Sequence, residues 1–176
     1  MRFRELDIAG AFLIQADVME DERGAFARTY CRREFAAHGL AFDWVQCNTS
    51  LTLRRGSVRG LHYQAAPHEE AKLIRCTAGA IYDVAVDIRA DSPTFRRWVS
   101  VELSAATPDM VYLPEGVAHG FQTLTDRAEV FYQMSAFYEH GAVRGVRWND
   151  PAFRVAWPEE VTLISQRDAS YPDFRL

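Results

Sequence analysis

The feature that most limits the fold is a two-residue alternation running from Ala80 to Arg89. Tyr82, Val84, Val86 and Ile88 fall on one side, and Ile81, Asp83, Ala85 and Asp87 on the other. Period two is the signature of a β-strand, because successive side chains leave opposite faces of the pleat. The run Phe95 to Ser104 alternates in the same way, with Val99, Val101 and Leu103 set against Arg96, Ser100, Glu102 and Ser104. Between the two lies Ala90-Asp91-Ser92-Pro93, which is turn chemistry. Further strands are expected at Ala11–Val18, Trp44–Leu53, Leu73–Thr77, Met110–Leu113, Gly120–Thr125, Glu129–Ala136 and Val161–Ile164. Only Arg32–His38 reads as a clear helix, with Gly39 where a C′ glycine belongs. So many short strands with so little helix point to an all-β sandwich or barrel rather than a βαβ fold. A jelly roll with one or two short helices fits best, and other antiparallel sandwiches stay open.

With 176 residues, the chain is expected to form one domain with an adequate core. Apolar residues at 48% and charged residues at 25% exclude a disordered or fibrous chain. A formal net charge of -4 gives no global attraction for nucleic acid or an anionic membrane. No run of 18 apolar residues and no apolar core in the N-terminal segment is present, so neither a membrane span nor a secretory signal is expected. Cys31, Cys47 and Cys76 are odd in number and lack CxxC spacing, which argues against a disulfide framework or a zinc knuckle. A cytoplasmic location is the expectation.

Three groups of residues could carry chemistry. The first is Gly56-Ser-Val-Arg59-Gly60-Leu61-His62-Tyr63-Gln64. In a regular strand His62 and Arg59 would face opposite ways. A glycine inside a strand marks a bulge or a close approach, and a bulge near Gly60 would turn Arg59 to the side of His62. The second is Pro114-Glu-Gly116-Val-Ala-His119-Gly120-Phe121, another glycine turn leading a histidine into a strand. The third is dispersed: Lys72, the only lysine in the chain, Tyr132 in an apolar strand, and Asp168 beyond a late strand. Taken singly, a snorkelling lysine, a packed tyrosine and a capping aspartate would explain them as well.

The first two groups resemble the paired motifs of the cupin superfamily at Gly56, His62, Pro114, Gly116 and His119. Metal-binding cupins carry a second histidine where this chain has Gln64, followed by a glutamate that Glu69 or Glu70 could supply. Two histidines and a carboxylate can still hold Fe(II), so a metal-dependent cupin enzyme is the alternative reading.

A wider resemblance covers nearly the whole chain. It runs through Asp21–Phe26, Gln46–Ser50, Val58–Gln64, Lys72, Asp83–Arg89, Ser92–Thr94, Pro114–Phe121, Tyr132, Tyr138, Trp148–Pro151, Trp157–Pro158 and Ser165–Asp168. In these segments, in this order, the sequence resembles the dTDP-4-dehydrorhamnose 3,5-epimerase family. The resemblance implies a cupin-type jelly roll, a homodimer, a nucleotide-sugar substrate, and neither metal nor cofactor. Carried over by position, it makes His62 the general base, Asp168 its orienting partner, Tyr132 the proton donor and Lys72 the support for the enolate oxygen. It makes Gln46, Asn48, Arg59, His119, Tyr138 and Arg167 substrate-binding residues, with Arg23, Phe26 and Arg28 joining from the N-terminal segment. Arg28 stands where the family often has glutamate, and Val143 where it has another, both towards the nucleotide end. Epimerisation at only one carbon, or on another nucleotide sugar, is the variant the resemblance leaves open.

Overall fold

The computed structural model describes residues 1–40 and 43–175. In chain order its elements are β1 (Arg2–Glu5), β2 (Phe12–Gln15), β3 (Val18–Asp21), β4 (Gly24–Ala27), α1 (Arg32–Ala37), β5 (Gln46–Thr52), β6 (Ser57–Gln64) and β7 (Lys72–Ala78). They continue as β8 (Ala80–Asp87), β9 (Trp98–Ser104), β10 (Met110–Leu113), β11 (Val117–Thr123), β12 (Ala128–Met134), β13 (Val143–Gly145), β14 (Leu163–Ile164) and α2 (Gln166–Ala169). Two six-stranded sheets form a sandwich, as the alternation predicts. The first has the order β1-β2-β10-β7-β12-β5. The second has the order β13-β6-β11-β8-β9, with β14 added in parallel beside β6. β3 and β4 make a separate two-stranded hairpin.

Three apolar layers explain the pattern. Between the sheets lie Ile74, Cys76, Val111, Leu113 and Val130 from the first, against Ile81, Ala85, Leu103, Val117 and Phe121 from the second. The outer face of the first sheet is covered by α1, where Phe35 and Leu40 pack on Ile14, Leu73, Met110 and Tyr112. The outer face of the second carries Leu61, Val84, Val86 and Ala118 under Phe153, Trp157 and Phe174 of the C-terminal segment. β8 is therefore covered on both faces, and each half of its alternation enters a different layer. Burial on both sides is why the two aspartates of its alternation, Asp83 and Asp87, each have a hydrogen-bonding partner.

α1 ends as expected: His38 caps it, Gly39 adopts φ +72°, and its amide donates to the carbonyl of Ala36 at 3.1 Å. Most strand bounds shift by one to three residues from those expected, and one shift has a visible cause. The expected strand Phe95–Ser104 begins only at Trp98, because Asp87 holds the preceding residues in a turn. Its carboxylate accepts from Arg89 at 2.8 Å and from the hydroxyls of Ser92 and Thr94, each at 2.6 Å. These bonds outweigh the opposing effect of burial and pull the Asp87 carboxyl down to about 2.

Candidate active site

The site begins with a fault in the second sheet. In the β6–β11 ladder His62 pairs with His119 and Arg59 with Phe121, so β6 carries one more residue than β11 between these pairs. This is the bulge the glycine predicts, and it brings Arg59 and His62 to one face. Gly60 is obligatory there. It sits at φ +119°, and a Cβ would lie 2.6 Å from the Cα of Gly120 and 2.8 Å from the carbonyl oxygen of His119. Two glycines let the strands approach where two histidines must face the same space.

That space is a cavity of about 1020 Å³ between the sheets. The second sheet supplies Arg59, His62, His119 and Phe121, and the segment after β14 supplies Arg167 and Asp168. The first sheet supplies Lys72 at the start of β7, Tyr132 from β12, and Gln46, Asn48, Ser50 and Thr52 from β5. The last four are alternate residues, so one face of β5 is a polar stripe. Asn48 lies opposite Tyr132 in register. Tyr138 closes one rim, its amide donating to Gln46 Oε1 at 3.0 Å.

His62 Nε2 contacts Asp168 Oδ1 at 2.7 Å. Asp168 is held in turn by the Gly60 amide at 3.3 Å, while its own amide donates to Ser165 Oγ at 3.1 Å, capping α2. Burial alone would raise the Asp168 carboxyl; the hydrogen bond and charge of His62, with the Gly60 amide and Ser165, hold it below the usual carboxylate range. An ionised Asp168 favours the proton on Nε2 and leaves Nδ1 as the ring's proton acceptor. Across the cavity, burial pushes the Tyr132 phenol up; Arg59 opposes this, and Glu70 and Tyr138 reinforce it. Tyr132 is therefore a neutral O–H donor across the working range. Lys72 Nζ donates to the His62 carbonyl at 3.1 Å and pairs with Glu70 Oε1 at 2.6 Å.

A second histidine–aspartate pair lies beside the first. His119 Nε2 contacts Asp83 Oδ2 at 2.7 Å. Arg59 reaches over to the first sheet, its Nε donating to Thr52 Oγ1 at 2.8 Å and its Nη2 to the Leu51 carbonyl at 3.2 Å. Asp83 and Glu70 are partners that sequence reasoning left without these roles. The signals were present: Asp83 shares a face with Ile81 and Ala85, and Glu70 precedes Lys72 by two residues in extended chain.

Three expected residues are not brought to the cavity within one chain. Arg23 pairs with Asp21 in the turn of the β3–β4 hairpin. Phe26 is 62% exposed on the same hairpin. Arg28 pairs with Glu34 at 3.2 Å. The hairpin belongs to neither large sheet, and none of its residues is among the described residues that line the cavity.

The donor set does not suit a cupin metal. Gln64 Nε2 donates to the carbonyls of His68 at 2.8 Å and Phe137 at 3.2 Å, and its Oε1 accepts from the Glu139 amide at 2.7 Å. Glu70 is committed to Lys72 and to the Gln64 amide. Each histidine already has its own aspartate. Position 64 serves the backbone, and the metal-dependent alternative has no support in these side chains.

Comparison with known proteins agrees with the geometry. A family model described as dTDP-4-dehydrorhamnose 3,5-epimerase matches residues 5–175. The chain is 41% identical over 173 residues to a dTDP-4-dehydrorhamnose 3,5-epimerase of Sinorhizobium fredii, covering 98% of this chain and 89% of the relative. The crystal structure of the enzyme of that name from Elizabethkingia anophelis superposes with a TM-score of 0.95 at 35% identity, covering 99% of this chain and 96% of the other. The dTDP-6-deoxy-D-glucose-3,5-epimerase of Legionella pneumophila, solved in complex with dTDP-4-keto-L-rhamnose, superposes with a TM-score of 0.89 at 32% identity and covers 99% of both chains.

Proposed function

The chain belongs to the dTDP-4-dehydrorhamnose 3,5-epimerase family, and from that premise we propose that it inverts C3 and C5 of a dTDP-linked 4-keto-6-deoxysugar. The observation that carries this reading is the division of labour across one cavity. A histidine–aspartate pair stands on the second sheet, and a protonated phenol and an ammonium stand on the first. The cupin-type sandwich holds these groups on two rigid walls.

Hydrogens at C3 and C5 are acidic because both carbons neighbour the C4 ketone. His62 Nδ1 takes the proton, and the C–H electron pair moves onto the C4 oxygen as an enolate. Imidazole suits this step because its ordinary pKa of about 6.5 lies near working pH. Lys72 supplies positive charge to the enolate oxygen, an effect strengthened in a site that excludes water. Tyr132 returns a proton to the opposite face of the carbon, which inverts it. His62 then loses its proton to solvent and Tyr132 regains one, so the cycle closes without net oxidation or reduction. Arg59 and Arg167, which both line the cavity, would grip the diphosphate, since guanidinium matches phosphate in bidentate fashion. Gln46, Asn48, His119 and Tyr138 complete the polar wall around the sugar and nucleotide.

A single domain over the chain is supported by a family match that leaves only short ends uncovered. A homodimer would cover the β3–β4 hairpin, whose Val18, Met19 and Phe26 are exposed, and would recruit Arg23, Phe26 and Arg28 to a ligand. Light scattering on the purified protein tests this, and a monomer would contradict it. Three free cysteines and a nucleotide-sugar substrate support a cytoplasmic enzyme.

The test of the activity is isotopic. The 4-keto-6-deoxyglucose nucleotide incubated with the protein in heavy water should gain deuterium at both C3 and C5. Label at one carbon only would make this a single-centre epimerase. No label, with folded protein, would reject the proposal.

A further inference from the structure

We propose that Tyr171 is a positioning residue that sets the plane of the His62 imidazole, with Gly145 as the seat for its ring. This inference deepens the epimerase reading and rests on it for its kinetic consequences. Asp168 grips only Nε2 of His62. One hydrogen bond leaves the imidazole free to rock about that contact, and His62 remains 38% exposed on its side chain. Tyr171 supplies a second constraint. Its ring and the imidazole form a T-shaped pair, with centroids 6.2 Å apart and an interplanar angle of 71°. This is a favoured aromatic arrangement, because a ring edge is positive and a ring face negative.

The chain is built to hold Tyr171 there. Gly145 lies opposite His62 in the β13–β6 register. A Cβ on residue 145 would fall 2.1 Å from Tyr171 Cε2 and 2.3 Å from Cζ. The tyrosine thus fills the place that a side chain on the neighbour of His62 would occupy. Its hydroxyl accepts from Arg167 Nε at 3.0 Å. Beyond it the tail is tied down by the Arg147–Asp173 ion pair and by the Phe174 amide, which donates to Asp150 Oδ2 at 2.6 Å. Asp168 and Tyr171 are three residues apart at the end of α2, so one short segment delivers both constraints to the same ring.

The test uses Tyr171→Ala, Tyr171→Phe and Gly145→Ala in the full-length protein. Tyr171→Ala should lower kcat for epimerisation about 10- to 100-fold, the scale of a misplaced catalytic group, with KM within about twofold. Tyr171→Phe keeps the ring and should restore kcat to within about threefold of the parent. Gly145→Ala leaves the tyrosine in the sequence but displaces it, and should reproduce the Tyr171→Ala defect. The imidazole nitrogen resonances of His62, recorded without substrate, should broaden or shift in the Ala variants and not in Tyr171→Phe. A folded Tyr171→Ala or Gly145→Ala protein with parental kcat and unchanged imidazole resonances would overturn the proposal. If the parent protein catalyses no exchange, the epimerase reading fails, while the imidazole spectra still decide the role of Tyr171. Should Tyr171→Ala not fold, Gly145→Ala decides.

Discussion

The two histidine–aspartate pairs have the same contact distance, 2.7 Å, and their histidines face each other in the β6–β11 register. They differ in how they are built. His119 and Asp83 both sit inside the second sheet, on adjacent strands, and the His119 side chain is only 10% exposed. His62 sits at a bulge, is 38% exposed, and takes its aspartate from a helix 106 residues away. A pair fixed within a sheet makes a good wall. A pair with an open face and an aspartate delivered from outside makes a better proton exchanger. On the proposed assignment, access and tethering, rather than the pairing itself, separate the base His62 from the binding group His119.

Exchanging the two histidines for asparagine should break the symmetry most sharply. His62→Asn should lower kcat about 10²- to 10⁴-fold, the usual worth of a general base. His119→Asn should act mainly on KM, raising it about tenfold, as expected for one lost hydrogen bond to a charged group. Steady-state kinetics on both variants check this, and equal losses in kcat would erase the distinction.

The aspartates sharpen it further. Asp168→Asn should cost about a hundredfold or more in kcat, because the amide no longer selects the productive tautomer. Asp168 also carries a pH signature. Its carboxyl lies below the usual range in the folded protein, so its contribution to stability is complete above pH of about 4 and is lost as pH falls through the folded value. Denaturation midpoints of the parent and Asp168→Asn should therefore converge in acid.

A smaller kinetic effect is expected on the opposite wall. Glu70→Gln removes the carboxylate that holds Lys72 Nζ, and kcat should fall about tenfold while KM changes less. An unchanged kcat would mean that Lys72 is held by the His62 carbonyl alone.

The control lies outside the site. Asp87→Asn should leave catalysis intact and cost about 1–3 kcal/mol of stability, because Arg89, Ser92 and Thr94 would lose a buried partner. For a chain of this size that is a loss of several degrees in Tm. With its carboxyl at about 2 in the folded protein, the deficit should be full above pH of about 4 and should close as pH falls towards 2. Thermal unfolding across that range measures it.

Much of this was legible in the residues because it is local. The alternation of β8, the bounds of β10, the glycine-ended helix α1 and the bulge at Gly60 all follow from side chains close in sequence. The β3–β4 hairpin was not legible, because its exposed residues carry no burial pattern. α2 is only one turn long and is announced by the Ser165 cap rather than by any periodicity. The pairing of Asp83 with His119, the hold of Glu70 on Lys72 and the seat of Tyr171 on Gly145 depend on strand register, which forms only when the sheets assemble. Resemblance points to the proposed catalytic set, and the fold shows on which wall of the cavity each member stands.

The central claim is that base and acid act from opposite walls of one cavity. The most direct measurement is deuterium exchange into the keto sugar by His62→Asn and Tyr132→Phe, read together with the configuration at the labelled carbons. Tyr132→Phe should still exchange hydrogen at C3, with the original configuration retained, because His62 removes and returns a proton on one face. His62→Asn should exchange none. Inversion at the parental rate by Tyr132→Phe, or undiminished exchange by His62→Asn, would contradict the assignment.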